Sequence, residues 1–281
     1  MTGIHTEKTF EEAIEYELLT NGGYIKGDPE TFDREIAIDT KVFISFLKQS
    51  QPDKWKKLQT IHGSNIEINV TKRLIKELQL RGCLNVIRKG FTDYGIKFQM
   101  AFFRPESSLN PDSKALYDSN ILTVTRQLKY TLRNENSLDL VLGLNGLPVA
   151  TVELKNQMTD QNVDNAKNQY KFDRSPRDLI FQFKKRALVH FTVDTDEAWM
   201  TTKLQGSKTF YLPFNLGYNN GKGNPPNPAG YRTDYLWKYV WSKDSWMDIL
   251  GRFLHLEKEE VEENGKKIIK EKMIFPRFHQ M

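Results

Sequence analysis

The sequence predicts an α/β fold in which a sheet carries helices on its faces, preceded by a helical N-terminal part. Three observations lead there. Apolar residues recur at helical spacing through the first stretch of the chain, up to Gly82. The period then switches, and four extended segments follow one another between Gly95 and Asn156. Helical and extended patterns alternate afterwards, and that order of elements places helices against a sheet.

The elements follow in order. "TFEEAIEYELLTNGGY" opens with Thr9 as an N-cap, sets Phe10, Ile14 and Leu18 on one face, and stops at Gly22-Gly23. "TKVFISFLKQ" and "PDKWKKLQTIHG" are two further helices, the second started by Pro52 and ended by Gly63. "EINVTKRLIKELQLRG" is a stronger one, closed by Gly82 after Arg81. "GIKFQMAFF", "NILTVTRQLKYTL", "SLDLVLGL" and "LPVATVELKN" are successive strands, three of them rich in β-branched residues. "TDQNVDNAKNQYKFDR" is a polar helix with Thr159 or Asp160 as its cap. "RALVHFTVDT" and "EAWMTTKL" form a further strand pair. "GYNNGKGNPPNPAGYRTDY" is a loop, dense in Gly, Pro and Asn. "SWMDILGRFLHLE" is helical, and "KEEVEENGKKIIKEK" is a charged, solvated segment before the closing "MIFPRFHQM".

Bulk properties narrow the function classes. Hydrophobic residues at 38% supply a core, and the net charge of +5 suits a polyanionic partner such as nucleic acid. The single cysteine, Cys83, excludes a disulfide framework and a cysteine-based zinc site, and points to a reducing, intracellular setting. The N-terminus has no signal-peptide pattern, and no apolar run has the length to cross a bilayer. His5, His62, His190, His255 and His279 are scattered without ligand spacing and are expected on the surface or satisfied in the core. Trp237, Trp241 and Trp246 are expected to pack, or to form a docking surface, rather than to stack on bases.

One stretch conflicts with its surroundings. "SLDLVLGLNGLPVATVELKNQ" is two apolar strands joined at Asn145-Gly146, yet it carries Asp139, Glu153 and Lys155. Residues two apart on a strand share a face, so Glu153 and Lys155 project together. Whether Asp139 joins them depends on register. A two-residue turn at Asn145-Gly146 sets Asp139 opposite Val152, on the other face. A three-residue loop, or an equivalent bulge elsewhere, brings it to the side of Glu153. Two carboxylates a few ångströms apart repel unless a cation sits between them, and Mg²⁺ takes carboxylate and water oxygens. The Leu154 carbonyl is a further oxygen on the same strand. Bound Mg²⁺ suits phosphodiester hydrolysis, with Lys155 orienting a water. The bland alternative is a strand-end ion pair, and Asp39-Thr40-Lys41 shows how easily the pattern arises. Burial among Leu, Val and Ala favours a metal, because such charges are costly unless paired or ligated.

"NILTVTRQLKY…NSLDLVLGLNGLPVATVELKN" resembles the nuclease core of the R subunit of type I restriction-modification enzymes, which are PD-(D/E)xK nucleases. "LNVIRKGF…IKFQMAFFRP", "FEEAIEYELLTNGGY" and "IFPRFHQM" are similar to the flanking phrases of that family, so the likeness covers nearly the whole chain. It implies a restriction-endonuclease-like three-layer α/β/α core with a mixed sheet. Residues 91–260 would form that core, after a helical part over 1–90 and before a charged linker over 261–281. It implies Asp139 and Glu153 as metal ligands, joined by the Leu154 carbonyl, and Lys155 as the catalytic lysine. Related nucleases add an acidic residue from the first helix, for which Glu11, Glu12 and Glu15 are candidates and Glu11 is preferred. Gln169 fits the first position of the family's Q-x-x-x-Y motif. Its Tyr position falls on Asp173, with Tyr170 displaced. Arg126 and Lys129 flank the core strand near phosphates or at a solvated edge.

The resemblance further implies Mg²⁺ as cofactor, with Mn²⁺ able to substitute, and double-stranded DNA as substrate. In that family ATP serves only the full-length subunit, whose helicase motor begins near the Gln280 position. Its partners are methyltransferase and specificity subunits, in the cytoplasm, with no membrane. No G-x-x-x-x-G-K-[ST] loop occurs here, so this chain is expected to be a nuclease region without its motor. The non-enzymatic alternative is a DNA-binding or subunit-docking module whose carboxylates only stabilise the sheet.

Overall fold

The computed structural model describes residues 7–104, 111–156, 161–263 and 266–278. Its N-terminal part is helical. Helix α1 (Glu7–Thr20) buries Phe10, Ile14 and Leu18. It already includes Glu7, so Thr9 lies inside the helix and does not cap it. The two-residue strand β1 (Ile25–Lys26) follows, then the small hairpin β2 (Phe32–Asp33) and β3 (Ile38–Asp39). Helices α2 (Thr40–Ser50), α3 (Pro52–His62) and α4 (Ile66–Arg81) come next, and Gly63 and Gly82 sit at the ends of the last two. A short helix α5 (Cys83–Lys89), not foreseen, leads to the hairpin β4 (Phe91–Asp93) and β5 (Ile96–Phe98). The expected first strand of the sheet is therefore only three residues long and stays outside it, because it pairs locally with Phe91–Asp93.

After a second unforeseen helix, α6 (Pro111–Asp118), the main sheet begins. Its strands are β6 (Leu122–Lys129), β7 (Ser137–Leu144), β8 (Leu147–Leu154), β9 (Val189–Val193), β10 (Ala198–Thr201) and β11 (Leu212–Pro213), and β1 completes one edge. The order is β1-β6-β7-β8-β9-β10-β11. β1 and β6 run parallel, as do β8 and β9, and the other pairs are antiparallel. The sheet is mixed and has helices on both sides, the α/β fold that the sequence predicts. Between β8 and β9 lies helix α7 (Val163–Asn168), continued by a π-helical turn over Gln169–Asp173. Its cap is Asn162, whose side chain accepts from Asp164 N at 3.0 Å; Thr159 and Asp160 lie outside the described residues. Helix α8 (Lys243–Asp248) precedes a last hairpin, β12 (His255–Glu263) with β13 (Lys266–Ile274). The charged segment is thus a paired ribbon.

The main core holds Val152, Leu154, Leu140 and Leu142 together with Phe191, and the buried Trp237, Trp241 and Trp246 pack there as expected. A smaller cluster built on Tyr130, Tyr170, Phe181 and Tyr211 is separate from it. The β7–β8 register decides what faces what. The turn has two residues, Asn145 (φ 52°) and Gly146 (φ 87°), and pairs Leu144 with Leu147 and Gly143 with Pro148. The next pairs are Leu142 with Ala150 and Leu140 with Val152, so Val149 is an extra residue, a bulge on β8. One step further, Asp139 stands opposite Glu153. The face-matching shift comes from the bulge and not from a longer turn. The turn itself is tightly held. A Cβ on Gly146 would stand 2.5 Å from the Asp39 carbonyl oxygen, at a φ that L side chains resist. Asn145 Oδ1 accepts from Ile121 N at 2.7 Å, and its Nδ2 donates to the Met100 carbonyl at 2.9 Å.

Candidate active site

The bulge puts Asp139 of β7 beside Glu153 of β8, and α1 supplies the remaining acids. Glu7, Glu11 and Glu15 recur every fourth residue, so they share a helix face. The apolar stripe of α1 enters the main core while this acidic face turns to the sheet end. Carboxylate oxygens of Glu7, Glu11 and Asp139 lie within 4.8 Å of one another. All three donors are hard oxygens, the kind that Mg²⁺ and Mn²⁺ prefer.

Each carboxylate is held by identifiable partners. Asp139 Oδ2 accepts from the Leu154 N–H at 2.7 Å. Gln127 Nε2 donates to Glu11 Oε1 at 2.8 Å and to Asp139 Oδ1 at 3.2 Å. Arg126 reaches Glu11 Oε2 at 3.2 Å and Glu15 Oε2 at 3.3 Å. Lys155 Nζ donates to Glu7 Oε1 at 3.1 Å. Arg174 Nε donates to Glu153 Oε1 at 2.7 Å, and its Nη2 to the Ser137 carbonyl at 2.8 Å. Glu153 is fully buried, and its Oε2 has no hydrogen-bond partner. A partnerless buried carboxylate oxygen is costly, and a ligated cation would satisfy it.

The electrostatics agree with a site suited to a cation. Burial, and then the charge of Asp139, push the Glu11 carboxyl up to about 7, against the pull of Arg126 and Gln127. Burial and Asp139 likewise hold Glu153 well above the ordinary carboxylate range. The Arg174 contact opposes this but does not overcome the loss of water. A divalent cation would reverse both shifts, so the residues present fit such an ion.

The expected residues are thus distributed unevenly. Asp139 and Glu11 converge, with Glu153 beside Asp139 but turned towards Arg174. Lys155 stands on Glu7. Leu154 meets this group through its N–H, which donates to Asp139. Glu12 is exposed and lies between Arg126 at 3.7 Å and Lys8 at 3.9 Å, and Glu15 faces Arg126 and Lys26. Gln169 lines a cleft of about 600 Å³ with Glu7, Gln127, Asp139, Asp173 and Arg174, and its Oε1 is buried without a partner. The π-helical turn brings 169, 173 and 174 to one wall. Tyr170 turns the other way. Its hydroxyl meets Thr151 Oγ1 at 2.7 Å, and Thr151 meets His190 Nδ1 at 2.7 Å. It therefore docks α7 onto the sheet and does not reach the cleft. Arg126 is engaged by glutamates, and Lys129 pairs with Glu135. A larger hollow of about 720 Å³ over α2 and α4, lined by Ile44 and Ile75 among others, gathers no ligating cluster.

Sequence reasoning missed Glu7, Gln127 and Arg174. The fourfold spacing of Glu7, Glu11 and Glu15 was an available signal for the first. No local pattern marks the other two, since both act through contacts distant in sequence. The family model for the type I restriction enzyme R protein N terminus matches residues 5–209, a span containing every side chain of the cleft. None of the curated proteins compared with the chain matches it.

Proposed function

The chain belongs to the family of type I restriction enzyme R protein N-terminal regions, and from that premise we propose that it hydrolyses phosphodiester bonds of double-stranded DNA with Mg²⁺. The observation that supports this most is the meeting of carboxylate oxygens of Asp139, Glu11 and Glu7 within 4.8 Å of one another, with the partnerless oxygen of buried Glu153 on the strand beside Asp139. Asp139, Glu153, Glu11 and the Leu154 carbonyl would hold the ion, and Glu7 is close enough to join them. When bound, Mg²⁺ supplies a polarised phosphodiester and a water of lowered pKa.

The chain's own groups do the rest. Lys155 orients the attacking water and offsets charge on the pentavalent phosphorus once its ammonium leaves Glu7. Gln169 offers its amide to the substrate at the cleft wall. Arg174 fixes the Glu153 carboxylate through its Nε–H, while its Nη2 is anchored on the Ser137 carbonyl. None of these needs a Ser or Cys nucleophile. In the full-length subunit the domain would cut DNA beside its ATP-driven helicase motor, in a cytoplasmic complex with methyltransferase and specificity subunits. Among the described residues no helix is long and apolar enough to cross a membrane.

The second reading is a DNA-binding or docking module without catalysis. The pairs Lys155–Glu7 and Arg174–Glu153 favour it, since they balance charge without a metal. Mn²⁺ titration separates the two. Mn²⁺ is expected to raise the melting temperature of the wild type and to leave that of Asp139→Ala unmoved. A shift retained in Asp139→Ala removes the basis for the metal site.

A further inference from the structure

We infer that Gln127 is a positioning residue whose side-chain amide clamps the carboxylates of Glu11 and Asp139 into the arrangement that receives a divalent cation. This rests on the metal-site reading above. Strand β6 pairs with β7 at Arg126–Leu140 and again at Leu128–Leu138, but the pair between them is missing. Gln127 occupies that gap with φ 49°, a left-handed backbone that a side chain resists. The register is the same on both sides, so no inserted residue forces the kink. What the kink accompanies is the placement of one amide. Its Oε1 accepts from Ser137 Oγ at 2.8 Å, which fixes the orientation of the group. Its Nε2 then faces Glu11 Oε1 and Asp139 Oδ1 together.

A neutral donor with two hydrogens suits this place. It holds two like-charged oxygens near each other and leaves the site's negative charge for a cation. A lysine or arginine there would cancel that charge. Arg126 takes the other oxygen of Glu11, so the two neighbouring side chains fix both ends of that carboxylate. Partners of this kind, one contact removed from a metal, characteristically govern affinity.

The test is Mn²⁺ binding by titration calorimetry, with melting measured in chelator, for the wild type, Gln127→Ala, Gln127→Gly and Asp139→Ala. Both Gln127 variants are expected to bind Mn²⁺ at least about 10-fold more weakly than the wild type. Gln127→Gly is expected to melt above Gln127→Ala, because glycine takes the left-handed φ freely, yet to match it in affinity. Strain and clamping are thereby read separately. Wild-type affinity or tighter binding in both Gln127 variants, with binding lost in Asp139→Ala, overturns the clamp alone. Absence of Mn²⁺ binding in the wild type, or its survival in Asp139→Ala, overturns the metal-site reading and the clamp with it.

Discussion

Asp39 and Asp139 carry the same chemistry, with a lysine in the neighbourhood of each, and both are nearly buried, at 8% and 6% exposure. Their surroundings separate them. Asp39 Oδ1 accepts from Val42 N at 3.0 Å and its Oδ2 from Thr31 Oγ1 at 2.8 Å. Both oxygens are thus filled by neutral donors, Lys41 is exposed, and the residue is a helix cap that also ties α2 to the β7–β8 turn. Asp139 has neutral donors too, from Leu154 and Gln127, yet other carboxylates are drawn up against it. Burial alone therefore does not mark a site. Tolerated repulsion between like charges does, because a fold gains nothing from it unless a cation arrives.

The comparison is tested hardest at Arg174. If the carboxylates at the cleft are held against their own repulsion, removing a fixed cation leaves Glu153 buried and unpaired. Arg174→Met is expected to lose about 3–5 kcal/mol of stability in urea unfolding, the usual cost of breaking a buried pair from one side. Glu153→Gln combined with Arg174→Met is expected to recover most of it, since the orphaned charge is gone. A loss under about 1 kcal/mol in the single variant would mean that the pair is not buried as the structure has it.

The β7 and β8 segments were legible because each is a continuous apolar run bounded by turn residues, and α4 because its period and its closing Gly82 agree. The register was not. It depends on Val149 standing out of the ladder, and a turn of Asn-Gly is compatible with either outcome. Asp139, Glu153 and Lys155 could be singled out, because charges inside an apolar run conflict with it locally. Gln127 and Arg174 produce no such conflict, and their importance lies in partners 12 and 21 residues away, and in α1. The hairpin over 255–274 was hidden by its composition, since Glu and Lys are poor strand formers. Opposite charges across it, Glu257 with Lys272, Lys258 with Glu271 and Glu259 with Lys270, support the pairing instead. Gln280 and His279 lie outside the described residues.

His190 extends the contrast from carboxylates to a base. It lies buried on β9, bonded to the neutral Thr151 hydroxyl and packed against Tyr170 and Phe181. Burial pushes it down from 6.5 to about 3. The unfolded chain thus binds a proton in that window and the folded one does not. Stability from this group is complete above pH 6.5 and is lost as pH falls towards 3, by about 1.4 kcal/mol per pH unit. His190→Asn keeps an acceptor or donor for Thr151 but does not titrate. Its stability between pH 6 and 4 is expected to fall less steeply than that of the wild type by that slope, in denaturant titrations at fixed pH. Equal slopes would place a proton on His190 in the folded state.

The smallest effect belongs to Asp39, and it defines what a cap is not. Asp39→Ala removes the acceptor for Val42 N and for the Thr31 hydroxyl, and is expected to cost about 1 kcal/mol. The residue is linked to the site by one backbone bond, Asp39 N to the Gly146 carbonyl at 2.9 Å, which the substitution leaves in place. Mn²⁺ affinity of Asp39→Ala is therefore expected to equal that of the wild type, where Asp139→Ala loses it. Weakened Mn²⁺ binding in Asp39→Ala would show that the turn transmits strain to the bulge at Val149. In that case the face-matching of Asp139 with Glu153 would depend on how α2 docks, and the two aspartates would belong to one device.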